Sequence, residues 1–187
     1  MTTDQPLHLV LPGYQNSGPA HWQSRWEATG RDFRRVHQQD WDRPDLADWV
    51  AALDRAVAAA ERPVVLVAHS LGCATVAHWA AGGARPGVLG ALLVAPPDLD
   101  AADVPELAGF RPVPLRPLPF PAVVVHGSDD PWCSAERARE FAAAWGAPAV
   151  DLGPYGHLNS ESGLGDWPEG RRLLAELTER ALASRAR

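Results

Sequence analysis

A chain of 187 residues, 46% hydrophobic and 21% charged, fits one globular domain (1–187) with a single sizeable core. Its net charge of −6 without a basic cluster argues against nucleic acid as a partner, and no apolar run approaches the roughly 18 residues of a membrane span. All 17 basic residues are arginine, which excludes a Ser–Lys dyad, a Schiff-base lysine and a phosphate-loop lysine.

Met1–Pro6 has neither the basic start nor the apolar stretch of a signal peptide, so the cytoplasm is the expected location. Cys73 and Cys133 form no C-x-x-C, and neither a metal knuckle nor a disulfide framework is signalled.

In chain order, Leu7–Leu11 reads as a first strand running into the loop Pro12–Pro19. That loop has glycines at phosphate-loop spacing, but Pro19-Ala20 follow where lysine and a hydroxyl residue are needed. Its expected use is to carry backbone N–H groups over the end of the first strand. Ser17 or Gly18 should cap the next helix, with Pro19 in its first turn. Trp22 and Trp26, four apart, belong on that helix's core face. Phe33–Gln39 reads as a second strand. Asp42, Pro44 and Asp45 open an amphipathic helix whose apolar positions are Leu46, Trp49, Val50, Leu53 and Val57.

Val64–His69 is a β-branched and apolar run suited to a strand buried on both faces. A small-residue helix, Leu71 to about Ala81, follows it and stops at Gly82-Gly83. Ser70 lies at the tip of the turn between them, in Ala68-His69-Ser70-Leu71-Gly72. This is the G-x-S-x-G nucleophile elbow with alanine at its first position. So tight a turn requires small residues two before and two after the serine. It also pushes the serine into a sparsely populated backbone region and turns the Leu71 N–H towards whatever the hydroxyl attacks. Gly13 and Tyr14 are the expected source of a second oxyanion donor.

Val88–Ala95 is the fourth strand. Pro96–Pro121 holds eight of the chain's 18 prolines and is expected to cross the carboxyl edge of the sheet as an irregular flap, with one short turn near 104–108. Pro121–His126 is the fifth strand. Ser134 caps a helix carrying Ala138, Phe141, Ala142 and Trp145, which Gly146 ends, and Ala149–Leu152 is a short sixth strand. A final helix should start at a capping box of Asp166 and Glu169 and bury Leu173, Leu174 and Leu177. Strands alternating with helices in this way predict an α/β fold with a doubly wound, mainly parallel sheet of about six strands.

With no lysine in the chain, the base for Ser70 must be a histidine. His8 is inside a strand, His78 inside a helix and His126 at a strand end, while His69 should leave the elbow in another direction. His157 follows the last strand in a Gly-flanked loop able to reach Ser70. The acid should come from a strand end between the two in chain order. Asp130 in Gly127-x-x-Asp130-Pro131 ranks first, Asp129 second and Asp98 third.

These contexts resemble the α/β-hydrolase superfamily, and more narrowly the small, lid-less serine hydrolases of the retinoblastoma-binding protein 9 type. The matching stretches are 11–26, Ala68–Cys73, Ser128–Pro131, Gly156–Asn159 and Ser162–Gly170, which together span almost the whole chain. The resemblance implies a reduced hydrolase sheet and a triad of Ser70, Asp130 and His157. It implies no cofactor and no metal. The family name evokes a pocket-protein partner read through L-x-C-x-E, but Leu71–Thr75 ends in threonine within a buried helix, and that partner is not carried over.

The expected chemistry is hydrolysis of a small acyl substrate, with short acyl groups preferred because no helical lid is present. The alternatives are a binding protein on an idle hydrolase scaffold, or an acyltransferase or amidase using the same triad. The oligomeric state is not read from the sequence.

Overall fold

Short apolar strands alternating with amphipathic helices can bury both strand faces only as a parallel sheet covered on two sides. The computed structural model, which describes residues 5–83 and 86–185, has this form. The leader reading of Met1–Asp4 lies outside those residues. The strands are β1 Leu7–Leu11, β2 Phe33–Arg35, β3 Val64–His69, β4 Val88–Val94, β5 Ala122–His126 and β6 Ala149–Asp151. They form one all-parallel sheet in the order β2-β1-β3-β4-β5-β6. The helices are α1 Trp22–Thr29, α2 Leu46–Ala58, α3 Leu71–Ala81, α4 Ala135–Trp145 and α5 Pro168–Arg185.

Two apolar cores flank the sheet. On one face, Leu9, Leu66 and Leu93 meet Trp49 and Leu53 of α2, Trp79 of α3 and Phe141 of α4. On the other, Val65, Val67 and Leu92 meet Trp22 and Trp26 of α1 and Leu173, Leu174 and Leu177 of α5. Central β3 is buried at all six positions, as its unbroken apolar run requires. No helix among the described residues is long and apolar enough to cross a membrane.

The chain runs outward from β1 to β2 and then returns to β3 on β1's other side. The strand order therefore reverses between β1 and β3, and the loops leaving their carboxyl ends part to form a crevice. That crevice holds both Ser70 and the Pro12–Pro19 loop.

Three boundaries differ from the sequence reading. α1 begins at Trp22, capped by the His21 side chain, rather than at Ser17 or Gly18. Ser17 is otherwise engaged: its hydroxyl donates to Gln23 Oε1 at 2.7 Å, and its carbonyl accepts from Ser24 and Arg35. β2 ends at Arg35, not Gln39, because its partner β1 runs into Pro12, which has no N–H to extend the ladder. α5 begins with Pro168 at its first position, because the Asp166 carboxylate pairs with Arg25 at 2.7 Å instead of capping. The Pro-rich stretch carries one 3-10 turn, Pro105–Phe110, close to its expected place.

Candidate active site

The elbow has the backbone its sequence requires. Ser70 sits at φ 54° and ψ −124°, outside the regions ordinary residues prefer. The turn survives because nothing larger than hydrogen fits at two glycines. A Cβ on Gly72 would lie 2.3 Å from the Leu11 carbonyl oxygen, and one on Gly13 would lie 2.7 Å from Ser70 Cβ. Ala68 is fully buried in the apolar core, so its methyl is accommodated where the general pattern has glycine.

The structure brings together the three residues ranked first. Ser70 Oγ is 2.8 Å from His157 Nε2. His157 Nδ1 is 2.9 and 2.8 Å from the two carboxylate oxygens of Asp130. An ionised carboxylate only accepts, so Nδ1 carries the ring proton and Nε2 accepts the serine O–H. Asp130 Oδ1 also accepts the Trp132 N–H at 2.8 Å, which fixes the carboxylate plane. His157 and Asp130 are both buried.

The two runner-up acids have other tasks. Asp129 accepts the Gly156 N–H at 2.7 Å and thereby ties the β5 loop to the loop that carries His157. At the same crossing, a Cβ on Gly127 would stand 2.2 Å from the Gly156 carbonyl oxygen, so the two loops touch backbone to backbone. Asp98 faces Arg137 at 3.6 Å and takes no part in the His157 network.

Behind His157 lies a layer of rings that spacing did not reveal. His69 Nε2 donates to the His157 carbonyl at 2.9 Å, and its ring meets the His157 ring edge-on at 5.0 Å. His21 packs against His69 at 4.6 Å, and its Nδ1 accepts the Gln23 N–H as the cap of α1. Burial lowers the His69 pKa well below the ordinary value. Burial, with a smaller push from the Arg35 charge, lowers that of His21 to about 3. Both rings therefore stay neutral at physiological pH. The only sequence signal for this layer is the concentration of histidine and tryptophan around the elbow and α1.

Gln23, fully buried, ties the walls of the crevice together. Its Nε2 donates to the carbonyls of Leu11 and Val67 at 3.2 and 3.1 Å, joining the ends of β1 and β3. Trp22 Nε1 donates to the Leu158 carbonyl at 2.8 Å, anchoring the residue after His157.

Ser70 opens into a cavity of about 360 Å³ that Tyr14, Leu71 and Trp132 help to line. The Trp132 ring is 6.0 Å from that of His157, next to the site as its position after Asp130 leads one to expect. Among the described residues, no group of His, Cys, Asp and Glu side chains is arranged to hold a metal ion.

The fold and sequence have known counterparts. A solved structure described as a YdeN-like hydrolase from Pectobacterium atrosepticum is 33% identical, with a TM-score of 0.85, over 95% of this chain and 92% of that one. The ydeN gene product of B. subtilis is 19% identical with a TM-score of 0.74, over 94% and 100% of the two chains. Est1E from Butyrivibrio proteoclasticus, at 14% identity and a TM-score of 0.67 over 100% and 90%, shares the fold. No curated protein sequence matches the chain. The family model for serine hydrolases matches residues 8–176. With an all-parallel sheet, an elbow serine at its switch point and this match over most of its length, the chain belongs to the serine hydrolase family of the α/β-hydrolase superfamily.

Proposed function

We propose that this protein hydrolyses small carboxylic esters or related acyl compounds by two-step acyl transfer, with Ser70 as nucleophile, His157 as base and Asp130 as the orienting acid. The observation that carries this reading is the unbroken hydrogen-bonded line from Asp130 through the His157 ring to Ser70 Oγ.

In the first step Ser70 Oγ attacks the carbonyl carbon while His157 Nε2 takes its proton. Asp130 holds the Nδ1 proton in place and stabilises the imidazolium. The tetrahedral oxyanion is held by the Leu71 N–H, which as the first helical residue has no acceptor within α3. A backbone N–H of Gly13 or Tyr14 is the second donor. Each such donor contributes about 3 kcal/mol in comparable sites. The imidazolium then gives its proton to the leaving group, whose bond to the carbonyl carbon breaks. Water repeats the sequence on the acyl-enzyme, with His157 as its base, and frees Ser70.

The apolar side of the cavity, with Pro97, Leu107 and Trp132, suits a short acyl chain. A six-carbon extension, favourable by about 0.8 kcal/mol per buried methylene, has no covering helix among the described residues to lie under. Placement with the retinoblastoma-binding protein 9 type belongs to the same proposal and rests on the five matching stretches. So does a cytoplasmic location, which two unpaired cysteines support.

Labelling by a fluorophosphonate probe, together with turnover of p-nitrophenyl esters from two to twelve acyl carbons, tests the reading. The wild-type protein should label and favour short chains, while Ser70→Ala should do neither and keep its melting temperature. Labelling retained in Ser70→Ala would move the nucleophile elsewhere.

A further inference from the structure

The cavity above Ser70 has two unlike sides. The side built by the loops after β4 and β5 is apolar, with Pro97, Leu107 and Trp132. The side built by the loop after β1, the start of α1 and the 3-10 turn Ser160–Ser162 presents Gln15, Asn16, His21, Asn159, Ser160 and Glu161. An ester site that only needed to hold an alkyl alcohol would gain nothing from six polar residues in one wall.

The orientation of the two asparagines follows from their neighbours. Asn16 Oδ1 accepts from the Arg35 guanidinium at 2.8 Å, and a guanidinium can only donate. Asn159 Oδ1 accepts the Glu161 backbone N–H at 2.9 Å, again a donor only. Each amide therefore has its oxygen engaged and offers its NH₂, which has no partner among the described residues. His21 adds a third donor. Its Nδ1 accepts the Gln23 N–H, so the neutral ring keeps its proton on Nε2, and that buried nitrogen also lacks a partner among the described residues. The His21 donor is buried, and a buried donor left unpaired is unfavourable until a bound acceptor relieves it.

The same wall holds a charged acceptor, the Glu161 carboxylate, which has no ion pair among the described residues. Gln15 and Asn16 sit at φ 63° and 65°, strained backbone maintained beside the crevice. Donors and an acceptor on one wall match the group that both accepts and donates, a hydroxyl. The carboxylate disfavours an anionic substrate.

We propose that the substrates are esters of a hydroxylated alcohol, of the glycerol or sugar class. Their hydroxyls bind Asn16, Asn159, His21 and Glu161, and their acyl group faces the apolar wall. Asn159 lies two residues beyond His157, and both line the cavity, so this wall adjoins the group that would protonate the leaving alcohol. This inference rests on the ester-hydrolase reading above and names its substrate class.

The test compares kcat/KM for 1-glyceryl butyrate and propyl butyrate, which share an acyl group and a three-carbon alcohol and differ by two hydroxyls. The wild-type protein should favour the glyceryl ester at least tenfold. Asn16→Asp and Asn159→Asp keep the oxygen that Arg35 or the Glu161 N–H uses and replace the donor, so each should bring the ratio towards one. Taking a ratio of two neutral esters cancels any general effect of the added charge on His157.

A wild-type ratio near one, or a ratio unchanged in both variants, overturns the inference and leaves the hydrolase reading standing. Faster turnover of butyrylcholine than of glyceryl butyrate would also overturn it, making Glu161 a cation site instead. Absence of both turnover and fluorophosphonate labelling in the wild-type chain would remove the hydrolase reading and this inference together.

Discussion

Gly13 and Ser70 stand back to back across the crevice between β1 and β3, so close that a Cβ on Gly13 would lie 2.7 Å from Ser70 Cβ. The same atom would stand 3.2 Å from both the His69 oxygen and the Leu71 nitrogen. Gly13→Ala must therefore move the loop away from Ser70 or Ser70 away from His157. A displacement near 1 Å at a reacting centre lowers turnover about 100-fold. We expect kcat/KM to fall by about that factor, with fluorophosphonate labelling slowed in proportion. A variant of unchanged kcat/KM would show that the loop plays no part in positioning Ser70.

The neighbouring carboxylates Asp129 and Asp130 face different partners, and their variants should separate accordingly. Asp130→Asn removes the acceptor that fixes the His157 tautomer and should lower kcat by about 10⁴. Asp129→Asn keeps an oxygen able to accept the Gly156 N–H and should stay within about tenfold of wild type. Steady-state kinetics on a short ester decides the matter, and the reverse order would reassign the acid.

Gln23 is fully buried and makes three hydrogen bonds, to the Leu11 and Val67 carbonyls and from the Ser17 hydroxyl. Gln23→Leu keeps the approximate volume and strands all three groups. At about 1–3 kcal/mol for a buried group left unpaired, partly relieved by relaxation, the loss of stability should be on the order of 3 kcal/mol. The urea midpoint should fall with an unchanged slope.

Acid should unfold the protein through its buried histidines. Burial, partly opposed by Asp32, lowers the His8 pKa to about 4, burial lowers that of His21 to about 3, and His69 is lowered well below its ordinary value. In the unfolded chain all three titrate near 6.5, so between that pH and about 4 the unfolded state binds more protons. Stability is then full above pH 6.5 and is lost as pH falls, at about 1.4 kcal/mol per pH unit for each histidine. Urea midpoints measured from pH 7.5 to 4.5 should fall accordingly. Calorimetry near pH 5.5 should register an uptake of up to one proton by each of the three histidines on unfolding.

The strand–helix alternation, the elbow and the acid–base pairing were legible in the sequence because each depends on local chemistry. An apolar run, a tight turn that admits only small residues and a glycine-flanked histidine need no distant partner to be recognised. Two of the three misread boundaries lie where another side chain competes for the capping group, and β2 ends where its neighbour β1 reaches Pro12. Asp166 would cap α5 were Arg25 not 141 residues away in sequence and adjacent in space. Ser17 would cap α1 were its hydroxyl not taken by Gln23. The polar wall was illegible for a related reason, since an asparagine's free amide is known only once the partner of its oxygen is known.

The indole of Trp22 holds the Leu158 carbonyl, and that of Trp26 holds the Asp166 carbonyl at 2.7 Å, linking residues 136 and 140 positions apart. Trp167 closes the cluster, its ring 4.9 Å from Trp22 and 5.8 Å from Trp26. Contacts of such long range close large loops, which slows folding, and none of them can form until both ends of the chain are present. On a ribosome that releases the amino-terminal end first, Trp22, Ser70 and the elbow emerge well before His157 and Trp167. On the proposed mechanism the nascent chain thus carries Ser70 without its base through most of synthesis, and the serine gains its hydrogen bond to His157 only when the last fifth of the sequence docks.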